Sequence, residues 1–85
     1  MTAVLLSSLR TGARATVAGV LTPAEGQDHE LALRLIEIGF LPGEPVRIIA
    51  RGQPGDDPIA VRLGHTTFAL RRFEAEFVSV NGACP

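Results

Sequence analysis

The sequence predicts a mainly β protein: a small barrel of about five strands with an α-helix inserted after the first. Three observations carry this. From Val46 onward, short stretches alternate apolar and polar residues, each bounded by glycine or proline. One earlier stretch, ending at Ile38, instead spaces its apolar residues at helical period. The chain has 85 residues, enough for one hydrophobic core and one domain, 1–85. Closing a five-stranded sheet on itself protects strand edges that would otherwise invite aggregation.

Ser7 to Gly12, "SSLRTG", is a turn signal. Ala15 to Leu21, "ATVAGVL", is rich in β-branched residues and reads as the first strand. Thr22 to Gln27, "TPAEGQ", is a loop around Pro23 and Gly26. Asp28 is expected to cap and start the helix, with Glu30 adding negative charge at the positive end of the macrodipole. Leu31, Leu35 and Ile38 then form an apolar stripe, with Ala32 and Ile36 beside it, while Glu30, Arg34 and Glu37 share the opposite face. Gly39 can stop the helix in a conformation with positive φ, and Phe40 can fold back on Leu35. Pro42-Gly43 fits the centre of a type II turn, because proline presets φ and glycine accepts positive φ.

Strand signals follow. Val46 to Ala50 places Val46, Ile48 and Ala50 on one face and Arg47 and Ile49 on the other. "RGQPGDDP" is a long hairpin loop. Ile59, Val61 and Leu63 alternate with Ala60 and Arg62. Gly64-His65 is a two-residue hairpin turn, and Thr66, Phe68 and Leu70 continue beyond it. "RRFEAE", Arg71 to Glu76, reads as one helical turn, Phe77 to Val80 as a last strand, and residues 81–85 as a frayed tail outside a core of about 6–80. The order of these elements favours an SH3-like barrel over an OB-like one, whose helix sits later in the chain.

At this point the residues resemble a known family. "LRLIEIGFLPGEPVRII", followed by "DPIAVRLGHTTFALRRFEAEFVSV", is similar to the FeoA family of small proteins that accompany FeoB, the bacterial ferrous-iron transporter. The likeness runs from about Leu6 to Val80. Its most specific parts are Ile38-Gly39-Phe40, the Pro42-Gly43 turn with Val46 beyond it, Asp57-Pro58-Ile59, and Ala69-Leu70-Arg71-Arg72. The same module resembles the C-terminal SH3-like domain of DtxR-type iron-dependent repressors. No helix-turn-helix stretch precedes it in this sequence, so a free-standing module is expected. The resemblance implies an SH3-like barrel and an accessory role in ferrous-iron uptake through contact with the cytoplasmic part of FeoB.

The residues themselves constrain the chemistry. The net charge is −1 and all eight basic residues are arginine, so there is no overall pull toward nucleic acid or anionic lipid. One cysteine, Cys84, forms no internal disulfide and fits a reducing, cytoplasmic setting. No apolar run reaches the roughly 20 residues that span a bilayer, and no signal segment opens the chain, so no membrane insertion is expected. His29, His65 and Cys84 make no close ligand pair, so neither a built-in metal site nor a cofactor is expected. Asp28-His29-Glu30, or Glu74 with Glu76, could hold a surface ion, but such carboxylates are ordinarily caps or solvated charges. There is no G-x-S-x-G and no P-loop, and the chain reads as a non-enzyme.

A partner surface is the remaining candidate. Arg47, Arg51 and Arg62 fall on the outward set of their strands, with Arg71 and Arg72 after the fourth. Together they offer a basic stripe for an acidic partner, against the plain alternative of a solvated barrel face. A sharper version makes Arg71 or Arg72 an arginine finger on a partner GTPase. Leu33 and Leu41 lie off the helix stripe and offer apolar contact to a partner or a second copy. Phe68 belongs to the inward set, Phe40 to the helix, and Phe73 and Phe77 read as core closers. With no Trp or Tyr there is no aromatic groove for polyproline, and single-stranded RNA lacks stacking partners. The alternatives to the adaptor reading are therefore a generic SH3-like interaction module unrelated to iron, or a small RNA-binding barrel.

Overall fold

The computed structural model of the chain describes residues 4–23, 26–52, 55 and 57–84, with the side chains of residues 83 and 84 set aside. Among the described residues there are six strands: β1 (Val4–Leu5), β2 (Arg14–Val20), β3 (Pro45–Arg51), β4 (Ile59–Leu63), β5 (Thr66–Leu70) and β6 (Val78–Cys84). A 3₁₀ turn, Leu6–Ser8, follows β1. Helix α1 (Gln27–Ile38) follows β2, and one short helix, α2 (Arg72–Ala75), precedes β6. The strands form one antiparallel sheet in the order β1-β6-β2-β3-β4-β5.

This is the expected mainly β, SH3-like arrangement, with a sixth strand and without full closure. The two edge strands, β1 and β5, do not pair with each other. The elements that follow them meet instead, since α2 packs against the 3₁₀ turn. Arg51 at the end of β3 adds to that seam. Its Nη2 donates to the carbonyl of Ser7 at 2.9 Å and also to the carbonyl of Leu9.

Strand ends depart from expectation for local reasons. β1 is two residues long, too short for alternation to show in sequence. β6 runs on through "NGAC", where a frayed tail was expected: Asn81 lies opposite Thr16 and Cys84 opposite Arg14. The ladder shifts register between those two pairs, close to Gly82 at φ +63. A bulge there lets a glycine-containing segment stay in the sheet. Residue 85 lies outside the described residues, as do parts of the two loops, at 24–25 and at 53, 54 and 56.

A second bulge, between Ile48 and Ala50, alters the face assignment of β3. One extra residue reverses the parity of the strand beyond it. Ala50, expected inward, pairs with Ala60 and is exposed. Arg51, expected outward beside Arg47, pairs with buried Ile59 and turns toward the seam.

Helix α1 begins one residue before Asp28. Gly26, at φ +89, is its N-cap, and the Gly26 carbonyl accepts the N–H of His29 at 3.2 Å and of Glu30 at 3.4 Å. Asp28 lies in the first turn as a charge facing the helix dipole, not as the cap. Ala32 and Leu35 are buried, and Leu31 and Ile38 pack against the core. The centre of the core holds Leu6, Val17, Leu35, Phe40, Ile48, Ile59, Val61, Val78 and Val80. Phe40 is fully enclosed, and Phe68 tilts against it with ring centroids 6.3 Å apart. Of the two phenylalanines expected to close the core, Phe77 is half-buried against it, whereas Phe73 is 57% exposed on α2.

Candidate interaction surface

The helix stop is built as its residues suggest. Phe40 N–H bonds the Leu35 carbonyl at 3.1 Å and Gly39 N–H bonds the Ile36 carbonyl at 3.0 Å, the paired bonds of a Schellman motif. Gly39 sits at φ +126. Leu41 to Glu44 then forms the turn, with Gly43 at φ +94 after Pro42 and a Glu44 N–H to Leu41 carbonyl bond of 3.1 Å. Gly43 N–H to Val17 carbonyl and Val17 N–H to Glu44 carbonyl, both 2.8 Å, fasten this turn to β2. The segment is thus architecture. It fixes α1 against the sheet and sets where the exposed side chains around it point.

Those side chains fall into separate groups. Leu33 (42% exposed) lies on the outer face of α1, and Leu41 (46% exposed) begins the turn. Arg71 and Arg72 flank the start of α2, both exposed. Their backbone is held by two carboxylates: Glu74 Oε1 accepts Arg71 N–H at 2.6 Å, and Asp57 Oδ1 accepts Arg72 N–H at 2.9 Å. These acids satisfy free donors at a helix N-terminus, so Asp57 and Glu74 cap α2.

Arg47 and Arg62 stand elsewhere. Arg47 lies directly opposite Arg62 across β3–β4, and directly opposite Arg14 across β2–β3. Arg62 in turn faces Thr67 on β5. Arg71 lies four residues along from Thr67, about 13 Å away at strand rise. The expected stripe is therefore two features: a three-arginine row in the middle of the sheet, and an Arg71–Arg72 pair toward its far end. Arg14 replaces Arg51 in the row. The strand expected from Ala15 to Leu21 leaves Arg14 out, whereas β2 begins at it. The signal was there, because Ala13, Ala15 and Val17 alternate with Arg14 and Thr16, and the first set is buried.

Beside the row is an open depression of about 210 Å³, bounded by the three arginines with Ala15, Pro45, Val46 and Gly64. Arg62 Nε donates to the Gly64 carbonyl at 3.3 Å, holding its guanidinium toward the rim.

The candidate metal residues are not gathered. Half-buried His29 has Nδ1 2.7 Å from the Pro23 carbonyl oxygen. A carbonyl only accepts, so Nδ1 carries the proton in that bond. His65 is exposed at the β4–β5 turn. Among the described residues there is no group of three His, Cys, Asp or Glu side chains placed to hold an ion. Among the described residues no helix is long and apolar enough to cross a membrane.

Fold and surface together define a small SH3-like accessory module. The FeoA domain model matches residues 4–81, and the chain belongs to the FeoA family, which is associated with ferrous iron transport. Among solved structures it is similar to the Stenotrophomonas maltophilia FeoA crystallised with zinc, at 41% identity over 92% of this chain and 89% of that one, with a TM-score of 0.80. That protein is described as a prokaryotic SH3 domain protein suggested to act as a ferrous iron transport activating factor. The Chlorobium tepidum FeoA matches at 31% identity over 91% of this chain and 68% of that one, with a TM-score of 0.73. A manganese-dependent transcriptional repressor shares the fold at 24% identity, with a TM-score of 0.73, over 92% of this chain and 40% of its own. No curated protein matches the chain.

Proposed function

We propose that this chain is a non-enzymatic accessory protein of bacterial ferrous-iron uptake that works in the cytoplasm by contact with the cytoplasmic part of the FeoB transporter. The observation that carries the reading is the family match over residues 4–81, on a fold shared almost end to end with FeoA structures. The arrangement of side chains supports contact in preference to chemistry. Its outstanding groups are exposed arginines and the exposed Leu33 and Leu41, and the histidines are 36 residues apart in sequence, on different elements. Exposed arginines and leucines are interface material, with Arg the more frequent energetic anchor.

The test is cellular. Deleting the gene should lower uptake of radiolabelled Fe(II), and re-expressing the intact chain should restore it. Uptake unchanged by deletion, with the transporter present and iron limiting, would contradict the accessory role.

A further inference from the structure

We propose that the Arg14–Arg47–Arg62 row and the depression beside it form a docking site for an acidic protein segment, one that presents two or more carboxylates with a small apolar side chain between them. The inference deepens the contact reading above and rests on it.

Three observations meet here. Arg47 lies directly opposite both Arg14 and Arg62, so the three arginines stand in register on three adjacent strands, spanning roughly 10 Å across the sheet. Like charges directly opposite one another destabilise a sheet, so the juxtaposition itself costs the fold stability. The residues of β2, β3, β4 and β5 include no Asp or Glu, so these strands hold no acid to offset the row. The acids of the described chain are on the helices and connecting segments, at positions such as Asp28, Glu30, Glu37, Glu44, Asp57, Glu74 and Glu76.

The occupant follows from shape and charge. Exposed Pro45 gives the depression an apolar side within an arginine rim, while Ala15 and Val46 at its floor turn their side chains into the core. Planar guanidinium forks pair with carboxylates bidentately, and the Pro45 ring offers contact to the segment's small apolar side chain. At about 210 Å³ the depression is smaller than pockets that enclose a drug-sized molecule. It has no aromatic lining for a base to stack on.

The experiment titrates the isotope-labelled full chain with a ten-residue peptide of alternating Glu and Ala, followed by amide chemical shifts. Parallel titrations use the Gln-for-Glu peptide, inorganic phosphate and a short oligothymidylate. The expected result is shift changes confined to β2–β4 around Arg14, Arg47 and Arg62 with the Glu peptide alone. Affinity should fall at least tenfold in R47Q/R62Q and be lost at high salt. R47Q and R62Q should melt at or above the wild-type temperature, because they relieve repulsion, so lost binding is not lost folding. Shifts elsewhere, binding unchanged in R47Q/R62Q, or equal binding of phosphate or oligothymidylate would overturn the proposal. These results concern this surface alone, and the transporter reading stands or falls on Fe(II) uptake.

Discussion

At the scale of single residues, Gly39 is the position on which the fold leans most. Its φ of +126 is one that L side chains rarely adopt, and an added Cβ would already lie 3.4 Å from Leu63 Cδ2. Gly39→Val should therefore cost about 1–3 kcal/mol from backbone strain, before any crowding by the branched methyls. Against a total stability of roughly 4–13 kcal/mol for a domain of this length, that is a large share. The melting temperature should drop by about 5–20 °C, measured by circular dichroism. A Gly39→Val protein that melts like the wild type would show that the Schellman stop is dispensable. This residue was legible in sequence because its chemistry is local: a glycine after a helical stripe, then an aromatic residue, then Pro-Gly. Asp57 was not. Its carboxylate caps a helix 15 residues away, and nothing local to "DDP" announces that.

At the scale of elements, the informative feature is the bulge in β3. Strict alternation placed Arg51 outside with Arg47, and the register shift moved it to the seam between β3 and the chain's first turn. Period-2 reasoning counts residues, and a bulge changes the count without leaving a mark in "VRIIAR". Arg51→Ala removes charged hydrogen bonds to two carbonyls and should destabilise by about 1.5–3 kcal/mol, read from urea denaturation. Arg51→Lys should recover only part, since both bonds come from the terminal Nη2 and a lysine ammonium ends one bond nearer the backbone. Full recovery by lysine would mean that charge alone is what matters there.

β6 makes the same point from the other direction. Its second half, "NGAC", has no strand signal in sequence and is expected as a tail, yet it pairs with β2. Deleting Asn81 onward should remove those ladder bonds and cost about 1–3 kcal/mol. A frayed tail would leave the denaturation midpoint where it was.

At the scale of the whole molecule, the sequence displayed the helix stop, the two-residue hairpin and four of the six strands to within a residue or two. It also displayed the mainly β, SH3-like class, because each of these is written in periodicity and turn chemistry. The arginine row was half visible. Arg47 and Arg62 could be put on outward faces, but which strands lie side by side, and in what register, is a property of the sheet. Only the assembled order β2-β3-β4 brings Arg14, Arg47 and Arg62 abreast and sends Arg71 and Arg72 elsewhere. That separation gives the molecule distinct basic features in place of one diffuse stripe.

The central claim is that this module acts by touching the transporter. It is tested most directly by calorimetric titration of the intact chain into the purified cytoplasmic part of FeoB, without nucleotide, with GDP and with a non-hydrolysable GTP analogue. The account predicts saturable binding in at least one of these states, with a dissociation constant on the order of 1–100 μM, as suits a small transient interface. No saturable binding in any of the three, at several hundred micromolar of both proteins, would contradict it.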